Sequence, residues 1–124
     1  EFDGLRGTSP WINDVWLKKL NLERPETVDE LYTVLKAFKT QDPNGNGLAD
    51  EQGWGASSIV SILNRLYGTF NVYNQGTMNT HLDIAEGTDK FRFVPITDEY
   101  KELLQFVNKL YTEGLINQEI FNTE

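Results

Sequence analysis

The sequence predicts an α+β fold, mainly helical, and three observations carry that reading. Apolar residues recur at three- and four-residue spacing in four separate stretches, the period of an amphipathic helix. One later stretch alternates with period two around a glycine-containing turn, the mark of a short β-hairpin. Between the second and third helical stretches, "DPNGNGLADE" from Asp42 to Glu51 interrupts with oxygen-bearing side chains and glycines. At 124 residues the chain is expected to form one domain, or a fragment of one, over 1–124.

The elements follow in order. Ser9 and Pro10 read as an N-cap followed by proline at the first helical position, with Ile12, Val15, Trp16 and Leu20 as the stripe of a first helix. Pro25 breaks the chain, and Thr27 with Glu30 fits a capping box. Val28, Leu31, Val34, Leu35 and Phe38 form the stripe of a second helix. That helix must stop by Asp42, because Pro43 disfavours helical geometry at the residue before it. Ile59, Ile62, Leu63 and Leu66 predict a third helix ended by Gly68. "NVYNQGTMNTH" reads as loop, with Tyr67, Phe70 and Tyr73 clustered by packing around a chain reversal. In "HLDIAEGTDKFRFVP", Leu82 and Ile84 stand opposite Phe91 and Phe93. Thr97 caps a fourth helix whose stripe is Tyr100, Leu103, Leu104, Val107, Leu110 and Tyr111, closed by Gly114.

Composition narrows the function classes. Hydrophobic residues make up 39%, enough for a core. Eleven Lys and Arg face nineteen Asp and Glu, a net charge of −8, which opposes nucleic-acid phosphate and anionic lipid and suits a protein that holds a cation. The absence of cysteine excludes disulfides, thiolate metal sites and a cysteine nucleophile. No apolar run approaches the ~20 residues of a membrane span, so no direct insertion by this segment is expected. The opening "EFDGLRG" is compatible with a mature terminus, a cloning scar or the cut edge of a larger protein.

Counted from Asp42, side-chain oxygens fall at positions 1, 3 and 5 as Asp42, Asn44 and Asn46, with Gly47 at 6, Leu48 at 7 and Asp50 at 9. Calcium takes six to eight hard oxygen ligands, and this spacing wraps a turn around one ion. Turn chemistry alone explains Asn, Asp, Gly and Pro, yet the spacing agrees at five points. The loop is not an EF-hand proper, since Gly53 occupies position 12 and "QGWGAS" reads as extended. The expected ligands are Asp42, Asn44, Asn46, the Leu48 carbonyl, Asp50 and Glu51. Three carboxylates with irregular spacing favour calcium over magnesium.

From Trp11 to Glu51 the chain resembles the extracellular solute-binding proteins of bacterial ABC importers, in the lipoprotein-type group (family 1) that includes alginate-oligosaccharide-binding proteins. The matching pieces are Trp11 to Leu20, Pro25 to Leu31 and the loop Asp42 to Glu51. Pro95 to Phe121 matches the family's "PITxEYKE…LYxEGLI" stretch. The resemblance implies part of one lobe of a two-lobe, periplasmic-binding-protein-like (type II) fold. It implies an oligosaccharide as solute, an ABC permease as partner, and an extracellular or periplasmic location with the parent anchored as a lipoprotein. Members run to several hundred residues, so this chain corresponds to a portion of one. "QGWGASS" departs from the strand expected after the loop, so contacts there do not transfer.

Sugar sites set aromatic rings against pyranose faces with polar groups at the edges. Trp54, flanked by glycines and followed by Ser57 and Ser58, is the leading substrate-binding candidate, with core packing as its competing reading. Trp11, at a helix start, could face the core or another lobe, whereas Trp16 reads as core. No catalytic residue is assigned. His81 is the only histidine, without a serine or cysteine motif, and the acidic residues all have helix-face, cap or loop roles. Two other classes stay open: a stand-alone calcium-binding interaction module, for which a dockerin would repeat the loop, and part of a carbohydrate-active enzyme.

Overall fold

The computed structural model describes residues 10–48, 50–72, 81–84 and 87–121. Helices α1 (Asp14–Lys19), α2 (Val28–Thr40), α3 (Ile59–Leu66) and α4 (Asp98–Thr112) carry most of the regular structure. Strands β1 (Leu82–Ile84) and β2 (Phe91–Phe93) pair antiparallel. Short 3₁₀ turns span Tyr67–Phe70, Val94–Ile96 and Gln118–Phe121.

The helix ends follow from local chemistry. α2 opens on the expected capping box: Glu30 N donates to Thr27 Oγ1 at 3.2 Å, and Thr27 N donates to Glu30 Oε2 at 3.1 Å. Thr97 caps α4, and Gly114 closes it at φ +68° with the paired bonds Gly114 N to Tyr111 O and Leu115 N to Leu110 O of a Schellman turn. α1 starts later than the Ser9–Pro10 signal suggests. Asn13 is the cap, accepting from Val15 N and Trp16 N, and Pro10 lies ahead of the helix; Ser9 is outside the described residues. The inward side chain also differs from the expected stripe: Leu17 is buried against Val34 and Phe38, and Val15 is 72% exposed. Gly68 does not end α3 but lies inside the 3₁₀ turn, which Asn71 closes at φ +53°. Tyr67 and Phe70 pack on the core, while Tyr73 lies outside the described residues.

α2 serves two apolar clusters. Leu35 joins Ile62, Leu66, Leu103, Val107, Leu110, Leu115 and Ile116 in the main core. Val34 and Phe38 face the other way, onto Leu17, Ile12, Trp16 and Leu20. On α4 the inward stripe is Leu103, Val107 and Leu110, with Phe106 packed beside it; Leu104 is exposed.

The hairpin register is the expected one, with Leu82 opposite Phe93 and Ile84 opposite Phe91. Its apolar face points outward. The alternation points Asp83 inward, 1% exposed, and leaves Phe91 77% and Phe93 48% exposed. Period-two patterning fixes which residues share a face but not which face meets the core. Here Arg92 decides it: Nε donates to Asp83 Oδ1 at 2.6 Å, Nη1 to Glu99 Oε1 at 2.8 Å, and Nη2 to Asp83 Oδ2 and the Asn71 carbonyl. The bonds to Asp83, first, and Glu99 hold the Arg92 guanidinium well above its ordinary pKa. Breaking a buried charged pair strands the remaining charge, at a cost of about 3 kcal/mol. Arg92→Met is therefore expected to lower stability by about that amount in urea unfolding, whereas Phe91→Ala, on the outer face, should change it by less than ~0.5 kcal/mol.

Candidate metal centre and adjoining groove

The loop begins where α2 ends. Asp42 follows the C-cap Gln41 in the left-handed region, at φ +46°, a position where Asn and Asp are tolerated and most side chains are not. Pro43, buried, has no N–H with which to continue the helix. The Asp42 carboxylate then gathers the backbone of the loop: Oδ1 accepts from Gly45 N at 2.7 Å and Asn46 N at 3.0 Å, and Oδ2 from Gly47 N at 2.8 Å. Those donors, Gly47 first, hold its carboxyl below the usual aspartate range, and Lys19 adds to the effect through space. Gly45 and Gly47 both adopt positive φ, near +80°, which lets the chain wrap the carboxylate.

The other oxygens fall around the same turn. Asn44 Oδ1 accepts from Asn46 N at 2.7 Å and Asn46 Oδ1 from Leu48 N at 2.8 Å. An amide oxygen has two lone pairs, so each keeps one for a further partner. Asp50 receives the Asn46 amide at 3.2 Å on both carboxylate oxygens, and the Asn44 amide at 3.5 Å. Glu51 turns inward and is 4% exposed. Its Oε1 accepts a long bond from Asn44 N at 3.4 Å, and its Oε2 is buried with no hydrogen-bond partner. An unpartnered buried carboxylate oxygen is costly, and a cation is the partner that satisfies it best. Among the described residues no three of His, Cys, Asp and Glu form a metal cluster; Asp42, Asp50 and Glu51 each accept from different donors. The donor set is all oxygen and fits a hard cation such as calcium.

Gly53 cannot be the twelfth-position glutamate of an EF-hand for a packing reason. A Cβ there would stand 2.7 Å from the Leu115 carbonyl oxygen and 3.1 Å from that of Leu35. This close passage lets Trp54 N donate to Leu115 O at 2.8 Å, and Trp54 pairs with Ile116 as an isolated parallel bridge.

Next to the loop runs a groove of about 810 Å³ that brings Trp11, Trp54 and Ser57 together. Trp11 is 97% exposed. Trp54 is half-buried, packing on the main core with one part and lining the groove with another. Ser58 is not among the lining residues; its hydroxyl caps α3 by accepting from Ser61 N at 3.3 Å. Arg24, Gln52 and Arg65 also line the groove and were not singled out from the sequence, since isolated polar residues carry no periodic signal. Trp16 lines it too, while stacking edge-on against Phe38 at 5.2 Å. His81 is exposed and lies edge-on to Phe93.

No protein-family model matches the chain. Among curated proteins it is 42% identical over 113 residues to the fructooligosaccharide ABC transporter substrate-binding protein FusA of Streptococcus pneumoniae, covering 90% of this chain and 20% of FusA. It is 39% identical over 118 residues to lipoprotein LipO of Bacillus subtilis, covering 87% of this chain and 21% of LipO. Among solved structures, an extracellular solute-binding protein from Bifidobacterium longum subsp. infantis superposes with a TM-score of 0.71 at 39% identity, over 87% of this chain and 23% of that one. FusA in an EF-hand mutant form, in complex with fructo-nystose, superposes with a TM-score of 0.65 at 35% identity, over 89% of this chain and 22% of that one. The homologues of this chain thus include an ABC transporter substrate-binding protein, a lipoprotein and an extracellular solute-binding protein. The chain spans about a fifth of the length of the curated relatives it matches.

The depressed pKa of Asp42 has a defined consequence. Its folded value lies below its unfolded one, so the carboxylate's contribution is full above about pH 3.9 and is lost as pH falls through the folded value. Titration of the Asp42 carboxyl carbon by NMR is expected to give a pKa below that of an ordinary aspartate; an ordinary value would mean that the three backbone donors do not hold the carboxylate in solution.

Proposed function

We propose that this chain is part of one lobe of the solute-binding component of an ABC importer, that the solute is an oligosaccharide, and that the Asp42–Glu51 loop holds a structural calcium ion. Similarity along about nine-tenths of the chain to a fructooligosaccharide-binding component carries the transport reading. The calcium reading rests on the oxygen spacing, on the unpartnered Oε2 of Glu51, and on the existence of an EF-hand mutant of a homologous binding protein. The ligands are the side chains of Asp42, Asn44, Asn46, Asp50 and Glu51 with the Leu48 carbonyl. Bound calcium supplies positive charge that neutralises these carboxylates and fixes the loop.

The chain's own residues do the rest. Asp42 follows α2 and gathers the loop backbone, and Glu51 buries the far end of the loop. That anchors Gly53 and Trp54 at the groove. Trp54 and Trp11 offer ring faces to a sugar, and Ser57 offers a hydroxyl at the groove edge; Ser58 contributes by starting α3. In the complete receptor the two lobes close on the solute, and the closed form is presented to the permease at the outer face of the membrane, where a lipid anchor holds the parent protein.

Calcium at a hundredfold excess over its Kd is expected to stabilise the fold by about 2.7 kcal/mol. Thermal melts in calcium and in a chelator measure this, and Asp42→Ala should abolish most of the difference. Identical wild-type melts with no calorimetric binding would reject the calcium site. Solute binding is tested separately by calorimetry with an oligosaccharide panel. The full-length receptor should bind, and this chain alone should bind about a thousandfold more weakly or not at all, because one lobe cannot enclose the ligand. Micromolar binding by the chain alone would instead identify a self-contained carbohydrate module.

A further inference from the structure

The loop has a neighbour that neither the ligand spacing nor the sugar groove explains. α1 ends at Lys19, and the chain turns at once through Asn21, whose φ is +52°. The bonds Asn21 N to Lys18 O at 3.2 Å and Leu22 N to Leu17 O at 2.9 Å make this a Schellman turn, and Leu17 and Leu22 seal it against Phe38 of α2. The end of α1 is therefore fixed beside the end of α2. From there the Lys19 side chain reaches across to the loop. A Cβ built on Gly45 would stand 2.7 Å from Lys19 Nζ and 4.0 Å from its Cε. Lys18, one residue earlier, goes elsewhere, pairing with Asp14 at 2.9 Å. So one of two adjacent lysines has its ammonium beside the middle of the proposed metal loop, and the other does not.

The geometry points to Lys19 as an affinity-setting residue: a resident cation at the rim of the loop that opposes a divalent ion and lowers calcium affinity. This rests on the calcium reading above. The ligand set of Asp42, Asp50 and Glu51 carries three negative charges, and the affinity of such loops follows ligand charge and site rigidity. An ammonium beside the middle of the loop cancels part of that field. Gly45 has a second role here. At φ +80° it favours glycine for its backbone, and the absence of a side chain leaves the space that the Lys19 ammonium occupies. The effect is electrostatic and close to solvent, so it is screened by salt over a Debye length of about 10 Å at 0.1 M.

The test is calcium titration by calorimetry on the full-length receptor, at low and at high ionic strength, with thermal melts as a second readout. Lys19→Gln should tighten calcium about threefold at low salt, and Lys19→Glu about tenfold, with both gains shrinking as salt rises. Lys19→Arg should leave the affinity within twofold of wild type. Lys18→Gln removes the same formal charge from the adjacent position and should leave calcium affinity unchanged. Wild-type affinity in Lys19→Gln, or an equal gain in Lys18→Gln, overturns the assignment of Lys19 while leaving the calcium site intact. Absence of calcium binding by the wild-type receptor overturns the calcium site and the Lys19 assignment with it.

Discussion

The Asp42 carboxylate is the contact on which the surrounding structure depends. It occupies a left-handed position at the end of α2 and accepts from three backbone N–H groups of the following turn. A helix end leaves backbone groups without partners, and a turn made of Pro, Asn and Gly has little packing of its own to hold it. The Asp42 carboxylate holds that turn by drawing Gly45, Asn46 and Gly47 around itself. The chain then doubles back so that Glu51 enters the protein and Gly53 slides between the carbonyls of Leu35 and Leu115. The bridge between Trp54 and Ile116 follows from that path. The loop thus joins α2 to the segment after α4.

α2 is the partition between two cores, and its outer face is fastened as well. Tyr32 donates to Glu113 at 2.8 Å, Lys36 lies 3.3 Å from the same carboxylate, and the Lys109 ammonium sits over the Tyr32 ring at 3.5 Å from its centre. The Tyr32 hydroxyl, first, and then Lys36 hold the Glu113 carboxyl below its ordinary pKa. These groups are largely exposed, so each contributes little alone. Their value is in register: they fix the middle of α2 against the end of α4, beside the core that holds Leu35, Leu110 and Leu115.

The hairpin turns an apolar face outward, with Leu82, Ile84, Phe91 and Phe93 all more than a third exposed. Ile96 and Leu104 extend the exposed apolar surface toward α4. Contiguous apolar surface of this kind marks a place where another body packs. The inward Asp83–Arg92–Glu99 network then serves as a polar pin that keeps the hairpin on α4 while its apolar face stays available.

The sequence by itself determined the elements whose signals are local. The Thr27–Glu30 capping box, the stop imposed by Pro43, the Gly114 turn and the pairing of Leu82 with Phe93 each arise from residues close together in the chain, so propensity and spacing were enough to read them. The oxygen spacing from Asp42 to Glu51 was legible for the same reason. What only the tertiary structure decided depends on distant partners. Val15 turned outward and Leu17 inward because α1 packs on Phe38 and Val34 of α2. The hairpin turned its apolar side out because Arg92 finds Glu99 and the Asn71 carbonyl on the inner side. Gly53 stands where a ligand glutamate was looked for because two carbonyls from opposite ends of the chain meet there. Lys19 reached the loop through a turn twenty residues before it, a proximity that no spacing rule encodes. A periodic pattern states which residues share a face; only the packed chain chooses what that face will touch.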